Sequence, residues 1–351
     1  MNDKIYSLVI VGYGGMGSQH GRKLENVSRI KVTGVFDIKE ARQEAARAQG
    51  YKIYEDYQAV LDDPSVDIVL IATPNDSHHP ITIQALNAGK HVICEKPAMM
   101  NSQEVEEVMS ASAQTGNVFM VHQNRRWDED YLAIKKLVDE NVLGEVFHVE
   151  SRVHGSRGIP GDWRHDLNRG GGMLLDWGVH LFDRLLLLFP QKVTSVYAKL
   201  SYILGHEVDD GIKVFLTFEG GRTALVEVGT TNFIALPLWY VTGLNGTAMI
   251  EDWDMNGKVA TWDQADTKDA VPIVAGAGLT KTMAPRSEST VTETPVPRIE
   301  CDVRDFYYNF VDTIEGTADR IVKNEEVLRI MTLMEAVFES DRTGQVVHLN
   351  L

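Results

Sequence analysis

The segment Ile5-Tyr6-Ser7-Leu8-Val9-Ile10-Val11-Gly12-Tyr13-Gly14-Gly15-Met16-Gly17 decides the fold. Its first seven residues are rich in isoleucine, leucine and valine and read as a buried strand, which the glycines then turn into a helix. Each glycine of this G-x-G-x-x-G spacing has a task. Gly12 permits the tight turn, Gly14 lets a pyrophosphate approach the backbone, and Gly17 lets helix and strand pack closely. Gly15 and Met16 open the helix, whose unpaired N–H groups and dipole favour an anion.

Lys31 to Phe36 reads as the next strand, and Asp37 ends it about 20 residues after the glycines, where a carboxylate can take ribose hydroxyls. Together the two elements predict a dinucleotide site. Asp37 would repel the additional phosphate of NADP, and Ile38 and Lys39 supply no adjacent arginine, so NAD is the expected cofactor; Arg42 stands one helical turn further on. Strand and helix patterns then alternate as far as a strand over Val118 to His122, which predicts a parallel sheet covered on both faces. Ligands of such sheets lie beyond the strand C-terminal ends, so Thr73, Pro74, Asn75, His78, Glu95 and Lys96 are expected around one crevice. Pro97 confines the backbone of Lys96 to the extended region and so sets where its long side chain leaves the strand.

A second informative stretch is Gly170-Gly-Gly-Met-Leu-Leu-Asp176-Trp-Gly-Val-His180-Leu-Phe-Asp183, a glycine entry into a helix with apolar residues near the 3.6-residue period. Asp176 and His180 stand four apart, which puts a carboxylate and an imidazole on one helix face with about 5 to 6 Å between Cβ atoms.

Four motifs taken in order, the glycine turn at 12–17, Ala72-Thr73-Pro74-Asn75 with His78, Glu95-Lys96-Pro97, and Gly170-Gly171-Gly172 leading to Asp176, Gly178, His180 and Asp183, resemble the Gfo/Idh/MocA family of nicotinamide-dependent oxidoreductases. Asn124-Arg125-Arg126-Trp127 is similar to the segment that follows the last cofactor-domain strand in the family's inositol and sugar dehydrogenases. The resemblance covers nearly the whole chain. It implies an N-terminal Rossmann domain with a parallel sheet, here expected over 1–123, and a C-terminal α+β domain with a large open, mainly antiparallel sheet over 124–351 that serves substrate binding and subunit contacts. It further implies that Lys96, Asp176 and His180 form the catalytic set and that Trp163 and Arg164 lie near the cofactor.

The chain has 351 residues, enough for two domains with an interdomain cleft, and a net charge of −16 that repels polyanions, so nucleic acid and anionic membrane are not expected partners. Cys94 and Cys301 make neither a metal-ligand spacing nor a disulfide framework, and Ile5 to Val11 is too short for a signal peptide. A cytoplasmic protein without a metal is therefore expected. Against the acidic background, Arg152, Arg157, Arg164, Arg169, His154 and His165 form a basic island. Such a loop suits the cofactor pyrophosphate or a polar substrate, with Arg152 and His154 as substrate contacts beside the catalytic set.

In the second half, three β-rich runs from Val193 to Thr231 and a hairpin about Asn245-Gly246 predict an antiparallel meander. Apolar runs such as Phe233 to Tyr240 suggest a second apolar sheet face, so a homo-oligomer is expected. Trp262 to Glu300 has little periodicity and reads as an active-site lid, an oligomer arm or a mobile insertion. Asp302 to Ile314 and Glu325 to Ser340 read as helices, and Val346 to Leu351 as a closing strand.

These observations predict an NAD-dependent dehydrogenase that moves a hydride between nicotinamide and a secondary hydroxyl of a sugar, cyclitol or glycoside. His180 is the expected general base, Lys96 the group at the developing alkoxide, and Asp176 the holder of a neighbouring hydroxyl. Two other readings are an NAD-dependent enzyme that cleaves glycosides by transient oxidation and elimination, and an NAD-binding regulatory subunit without turnover.

Overall fold

The computed structural model describes residues 4–262, 271–286 and 290–351. Six short apolar segments, β1 (Tyr6–Val11), β2 (Ile30–Phe36), β3 (Lys52–Ile53), β4 (Ile68–Ile71), β5 (His91–Cys94) and β6 (Phe119–Val121), form one sheet in the order β3-β2-β1-β4-β5-β6. Every pairing in it is parallel. Leu8, Val9, Ile10 and the whole of β4 are buried, the near-continuous apolar pattern of strands covered on both faces. The covering helices are α1 (Gly15–Leu24), α2 (Glu40–Ala48), α3 (Tyr57–Asp62), α4 (His78–Asn87) and α5 (Ser102–Thr115). Local chemistry sets their ends. Asn101 accepts the Glu104 N–H at 2.9 Å while Glu104 accepts the Met100 N–H at 3.0 Å, and Gly116 closes α5 in the left-handed region at φ +72°. The strand order reverses between β1 and β4, so the crevice at their C-terminal ends is the topological switch point.

After α6 (Glu129–Asp139), β7 (Val146–His154) starts the second sheet. It is joined, after α7 (Val179–Leu188), by β8 (Val193–Ser201), β9 (Gly211–Phe218), β10 (Thr223–Gly229), β11 (Trp239–Gly243), β12 (Gly246–Ile250) and β13 (Gly257–Trp262). A separate hairpin, β14 (Ile273–Ala275) with β15 (Gly278–Thr280), precedes β16 (Val291–Pro295); α8 (Asp305–Ile314), α9 (Asn324–Thr343) and β17 (Val347–His348) end the chain. The nine-stranded order is β16-β13-β12-β11-β7-β10-β9-β8-β17, antiparallel throughout except where β7 meets β10. The expected meander is thus present over β8 to β10, and β16 extends the sheet within the stretch that showed no periodicity. That strand lies on an edge, mostly exposed, so it needs no apolar face. Positions 263–270 and 287–289 of the same stretch lie outside the described residues.

One face of this sheet packs on helices, with the Ala198 N–H held by Ser340 of α9 at 2.9 Å. The other face leaves Tyr197 and Phe215 46 and 44 % exposed. Late in the chain, α8 returns to the first domain: Phe306 meets His122 edge-on at 4.8 Å, and Arg29 pairs with Glu315 at 2.6 Å. A division at residue 123 therefore separates the two sheets but not their contacts. Among the described residues, no helix is long and apolar enough to cross a membrane.

Candidate active site

At the switch point, β1 runs into Gly12, which adopts φ +90°. A Cβ on Gly17 would lie 1.9 Å from the Gly12 carbonyl oxygen, so only glycine lets α1 pack this closely on the turn. Gly14 and Gly15 face open space instead, with no heavy atom within 4 Å of a built Cβ, which leaves their backbone accessible to a ligand. Asp37, at the end of β2, accepts the N–H groups of Tyr13 at 2.7 Å and Lys39 at 2.8 Å. The carboxylate is thereby fixed beside the glycine turn. An open glycine backbone at a helix N-terminus and a fixed carboxylate at the neighbouring strand end fit a dinucleotide, with Gly12 to Gly17 as its cradle and Asp37 at its ribose.

The second half of the site is assembled from two distant segments. Lys96 follows β5, and its Nζ donates to Asp176 twice, to the backbone oxygen at 2.9 Å and to Oδ1 at 3.0 Å. Arg164 reaches the other carboxylate oxygen, Oδ2, through Nε at 3.1 Å. Burial acts to raise the Asp176 carboxyl, but the Lys96 and Arg164 cations outweigh it and hold the group below the usual carboxylate range. Asp176 is therefore ionised at neutral pH.

The backbone makes a wide turn here, a π-helical segment over Leu174–Gly178 that leads into α7. Such turns recur at functional sites because they re-aim side chains that a regular helix would spread. Asp209 holds the start of the turn by accepting the Leu174 N–H at 2.7 Å. Gly172, at φ +101°, lets it come so close: a Cβ there would lie 2.2 Å from Asp209 Oδ1. Burial pushes the Asp209 carboxyl up to about 7.

His180 emerges on the first turn of α7, 5 % exposed, and its Nδ1 has no partner among the described residues. Burial, then the cations Lys96, Arg125 and Arg184, hold its imidazole well below the ordinary histidine range, so it is neutral at physiological pH. Beside it stands Trp177, ring centroids 6.0 Å apart, with the Arg125 guanidinium 4.2 Å over the indole and Trp253 beyond. The cluster thus contains an ammonium, a carboxylate and a neutral imidazole, flanked by an aromatic wall.

The other expected site residues divide into groups. Asn75 ties the two motifs together, its Nδ2 donating to the Gly170 oxygen at 2.8 Å, and the Thr73 hydroxyl accepts from Ser77 at 2.7 Å. Trp163 and Arg164 share a turn, the guanidinium 4.8 Å over the indole, with Arg164 also held by Asp162 at 2.7 Å. His78 and Glu95, expected as cofactor contacts, are turned inward. The ring nitrogens of His78 face the Pro97 and Thr73 carbonyl oxygens at 2.9 and 3.0 Å, and Glu95 is enclosed by His20, His122 and its neighbour Lys96.

Arg152 and His154, expected at the substrate, meet Glu227 in the structure. On β7, Ser151 pairs with Trp239, whose indole N–H donates to Asp130 of α6 at 2.7 Å, so Ser151, Val149 and Val153 face the helices. Strand alternation turns Arg152 and His154 to the opposite face. Glu227 of β10 meets both there, at 3.3 and 3.6 Å.

Supporting residues to which the sequence assigned no role surround the helix. Arg126 grips Asp183 through Nε at 2.9 Å and Nη2 at 2.6 Å, and Arg184 meets Asp130 at 3.1 Å. The arginine pair after β6 and the His180-x-x-Asp183-Arg184 spacing were the available signals. His20, His122 and Tyr307 around Glu95 carried no such local signal.

Residues 6–123 match a family model described as an oxidoreductase family with an NAD-binding Rossmann fold, and residues 131–249 match the GFO/IDH/MocA C-terminal domain. An NAD-binding protein from Listeria innocua has a solved structure that superimposes with a TM-score of 0.95 and 54 % identity, covering 99 % of this chain and 100 % of that one. The chain is also similar to scyllo-inositol 2-dehydrogenase (NADP(+)) of Bacillus subtilis strain 168, 26 % identical over 97 % of this chain and 95 % of the relative. Myo-inositol 2-dehydrogenase of Thermotoga maritima is 25 % identical over 62 % of this chain and 66 % of its own.

Proposed function

The chain belongs to the GFO/IDH/MocA family of oxidoreductases, and from that premise we propose that it is an NAD-dependent dehydrogenase acting on a secondary hydroxyl of a sugar, cyclitol or glycoside. The observation that carries this reading is the convergence of Lys96, Asp176 and the neutral His180 beside the nucleotide cradle. The inositol dehydrogenases among its relatives support a polyol as the substrate class.

The nicotinamide, when bound, supplies the acceptor for the hydride that leaves the hydroxyl-bearing carbon. The chain supplies charge and geometry. The Lys96 ammonium stands where an alkoxide develops and stabilises it. His180, neutral and without a partner at Nδ1, takes the hydroxyl proton at a ring nitrogen. Asp176, ionised between Lys96 and Arg164, accepts a hydrogen bond from a second substrate hydroxyl and so orients the ring. Trp177 offers a flat apolar wall to the C–H face of such a ring.

Cys94 and Cys301 are unpaired, in keeping with a reducing compartment, and we place the protein in the cytoplasm. The exposed rings on the open sheet face support assembly with a second copy, which sedimentation of wild type against Phe215→Glu tests directly.

Product analysis tests the reaction. An accepted glycoside yields a product two hydrogens lighter, with one reduced cofactor per turnover and the glycosidic bond intact. Aglycone release with the cofactor pool remaining oxidised would assign the protein to the cleaving reading instead.

A further inference from the structure

Beneath Lys96 lies a buried polar cluster for which the proposed chemistry has no use. Glu95, His20, His122 and Tyr307 are each at most 4 % exposed. Glu95 Oε1 meets His20 Nε2 at 2.7 Å and His122 Nδ1 at 2.9 Å, and Oε2 meets the Lys96 backbone N–H at 3.1 Å. An ionised carboxylate only accepts, so both imidazole nitrogens and the amide donate to it. His20 Nδ1 then takes the O–H of Tyr307 at 2.6 Å. Burial alone would raise the Glu95 carboxyl, but the two histidines outweigh it and hold the group well below the carboxylate range.

The donor atoms of His20, Glu95 and His122 lie within 4.8 Å of one another, a spacing that a cation could use. Both ring nitrogens, however, aim at Oε1 itself at hydrogen-bond distance, so the three groups are already joined as a hydrogen-bonded knot, with His122 Nε2 left without a partner among the described residues. The knot reaches toward the site through the amide of Lys96. A second clamp acts just beyond the lysine, where the Pro97 carbonyl oxygen faces His78.

We propose that Glu95 is a positioning residue for Lys96: held by His20 and His122, with Tyr307 fixing the roles of the His20 nitrogens, it anchors the backbone from which the ammonium reaches Asp176. The knot joins α1, the helix entered from the nucleotide turn, to α8 of the second domain and to the ends of β5 and β6, so four segments set the origin of one side chain. This rests on the reading of Lys96 as the group at the reacting hydroxyl.

Glu95→Gln separates the contributions. The remaining carbonyl oxygen still accepts from the two histidines, whereas the new NH2 meets the Lys96 N–H donor to donor, so only the link to Lys96 is lost. The test measures turnover of the fastest substrate from a panel of sugars and cyclitols for wild type, Glu95→Gln, Lys96→Ala and the double variant. NAD affinity and Lys96 amide exchange are followed alongside. We expect Glu95→Gln to keep NAD affinity and KM, lower kcat about 10- to 100-fold as small displacements of catalytic groups do, and add nothing in the Lys96→Ala background. Lys96 amide exchange, which needs no turnover, should accelerate. Tyr307→Phe, a milder change, should give a smaller loss that also vanishes in the Lys96→Ala background.

Unchanged amide exchange, or losses from Glu95→Gln and Lys96→Ala that multiply, would overturn the positioning role. Wild-type turnover by Lys96→Ala would instead overturn the reading of the site itself.

Discussion

Lys96 Nζ donates to both the backbone oxygen and the carboxylate of Asp176, at 2.9 and 3.0 Å, across a separation of 80 positions in the chain. The double contact joins the end of the cofactor sheet to the turn that enters α7. In the proposed reaction Asp176 has two tasks, holding the ammonium and offering an acceptor to substrate. Asp176→Ala should therefore act mainly on substrate capture, raising KM more than it lowers kcat, with NAD affinity unchanged. Equal loss in kcat with KM unaltered would assign Asp176 to the transition state alone.

Cofactor choice turns on Asp37, whose carboxylate is fixed by the Tyr13 and Lys39 N–H groups. NAD should bind more tightly than NADP, because the additional phosphate would meet this fixed anion. Fluorescence titration of both cofactors decides it, and Asp37→Ser should narrow the gap. Preference for NADP in the wild type would mean that Arg42 or another cation dominates.

The pH behaviour follows from His180. Its folded-state value lies well below that of an unfolded histidine, about 6.5, through burial first and then Lys96, Arg125 and Arg184. The imidazole stays neutral until pH falls to that lower value, so the acidic limb of kcat/KM should lie below pH 6.5. Because the folded form resists protonation, the same difference contributes no penalty above about pH 6.5 and costs stability as pH falls from there toward the folded value. Removing the nearby ammonium in Lys96→Met should shift the His180 titration upward, read by NMR of histidine-labelled protein without any substrate. A His180 that titrates at the ordinary value in wild type would contradict this account.

Stability of the site helix depends on Arg126 and Asp183, joined by two short bonds and almost wholly buried. Asp183→Asn removes the bidentate counter-charge and leaves Arg126 with Glu326 alone, at 2.8 Å, and should cost about 3 kcal/mol in urea unfolding, the lower end for a broken buried pair. Asp139→Asn, which disrupts the exposed pair with Lys135, serves as the control and should change little.

Features confined to a short span of chain are legible in the sequence itself. The glycine turn, Asp37, Lys96 before Pro97, and the Asp176 to His180 interval each occupy a few consecutive positions, and at Gly12 and Gly17 the backbone itself requires glycine. The direction of Arg152 and His154 was less legible, because strand parity decides it: Val149, Ser151 and Val153 share one face, but which face the helices cover is set by distant partners such as Trp239 and Asp130. The knot about Glu95 was beyond reach for a similar reason, since His20 and Tyr307 stand 287 positions apart and meet only in the folded chain. Polar β16 gave no strand signal because an edge strand needs no alternation.

The central claim is that Lys96 and His180 carry out NAD-linked oxidation of a secondary hydroxyl. It is tested most directly by following reduced-nicotinamide absorbance with NAD across free sugars, cyclitols, uronates and glycosides, for wild type beside Lys96→Ala and His180→Ala. Wild type should reduce NAD with at least one of these polyols, and each variant should bind NAD as before but turn over about 10²- to 10⁴-fold more slowly. No reduction by wild type with any of these compounds, or variants that match its rate, would contradict it.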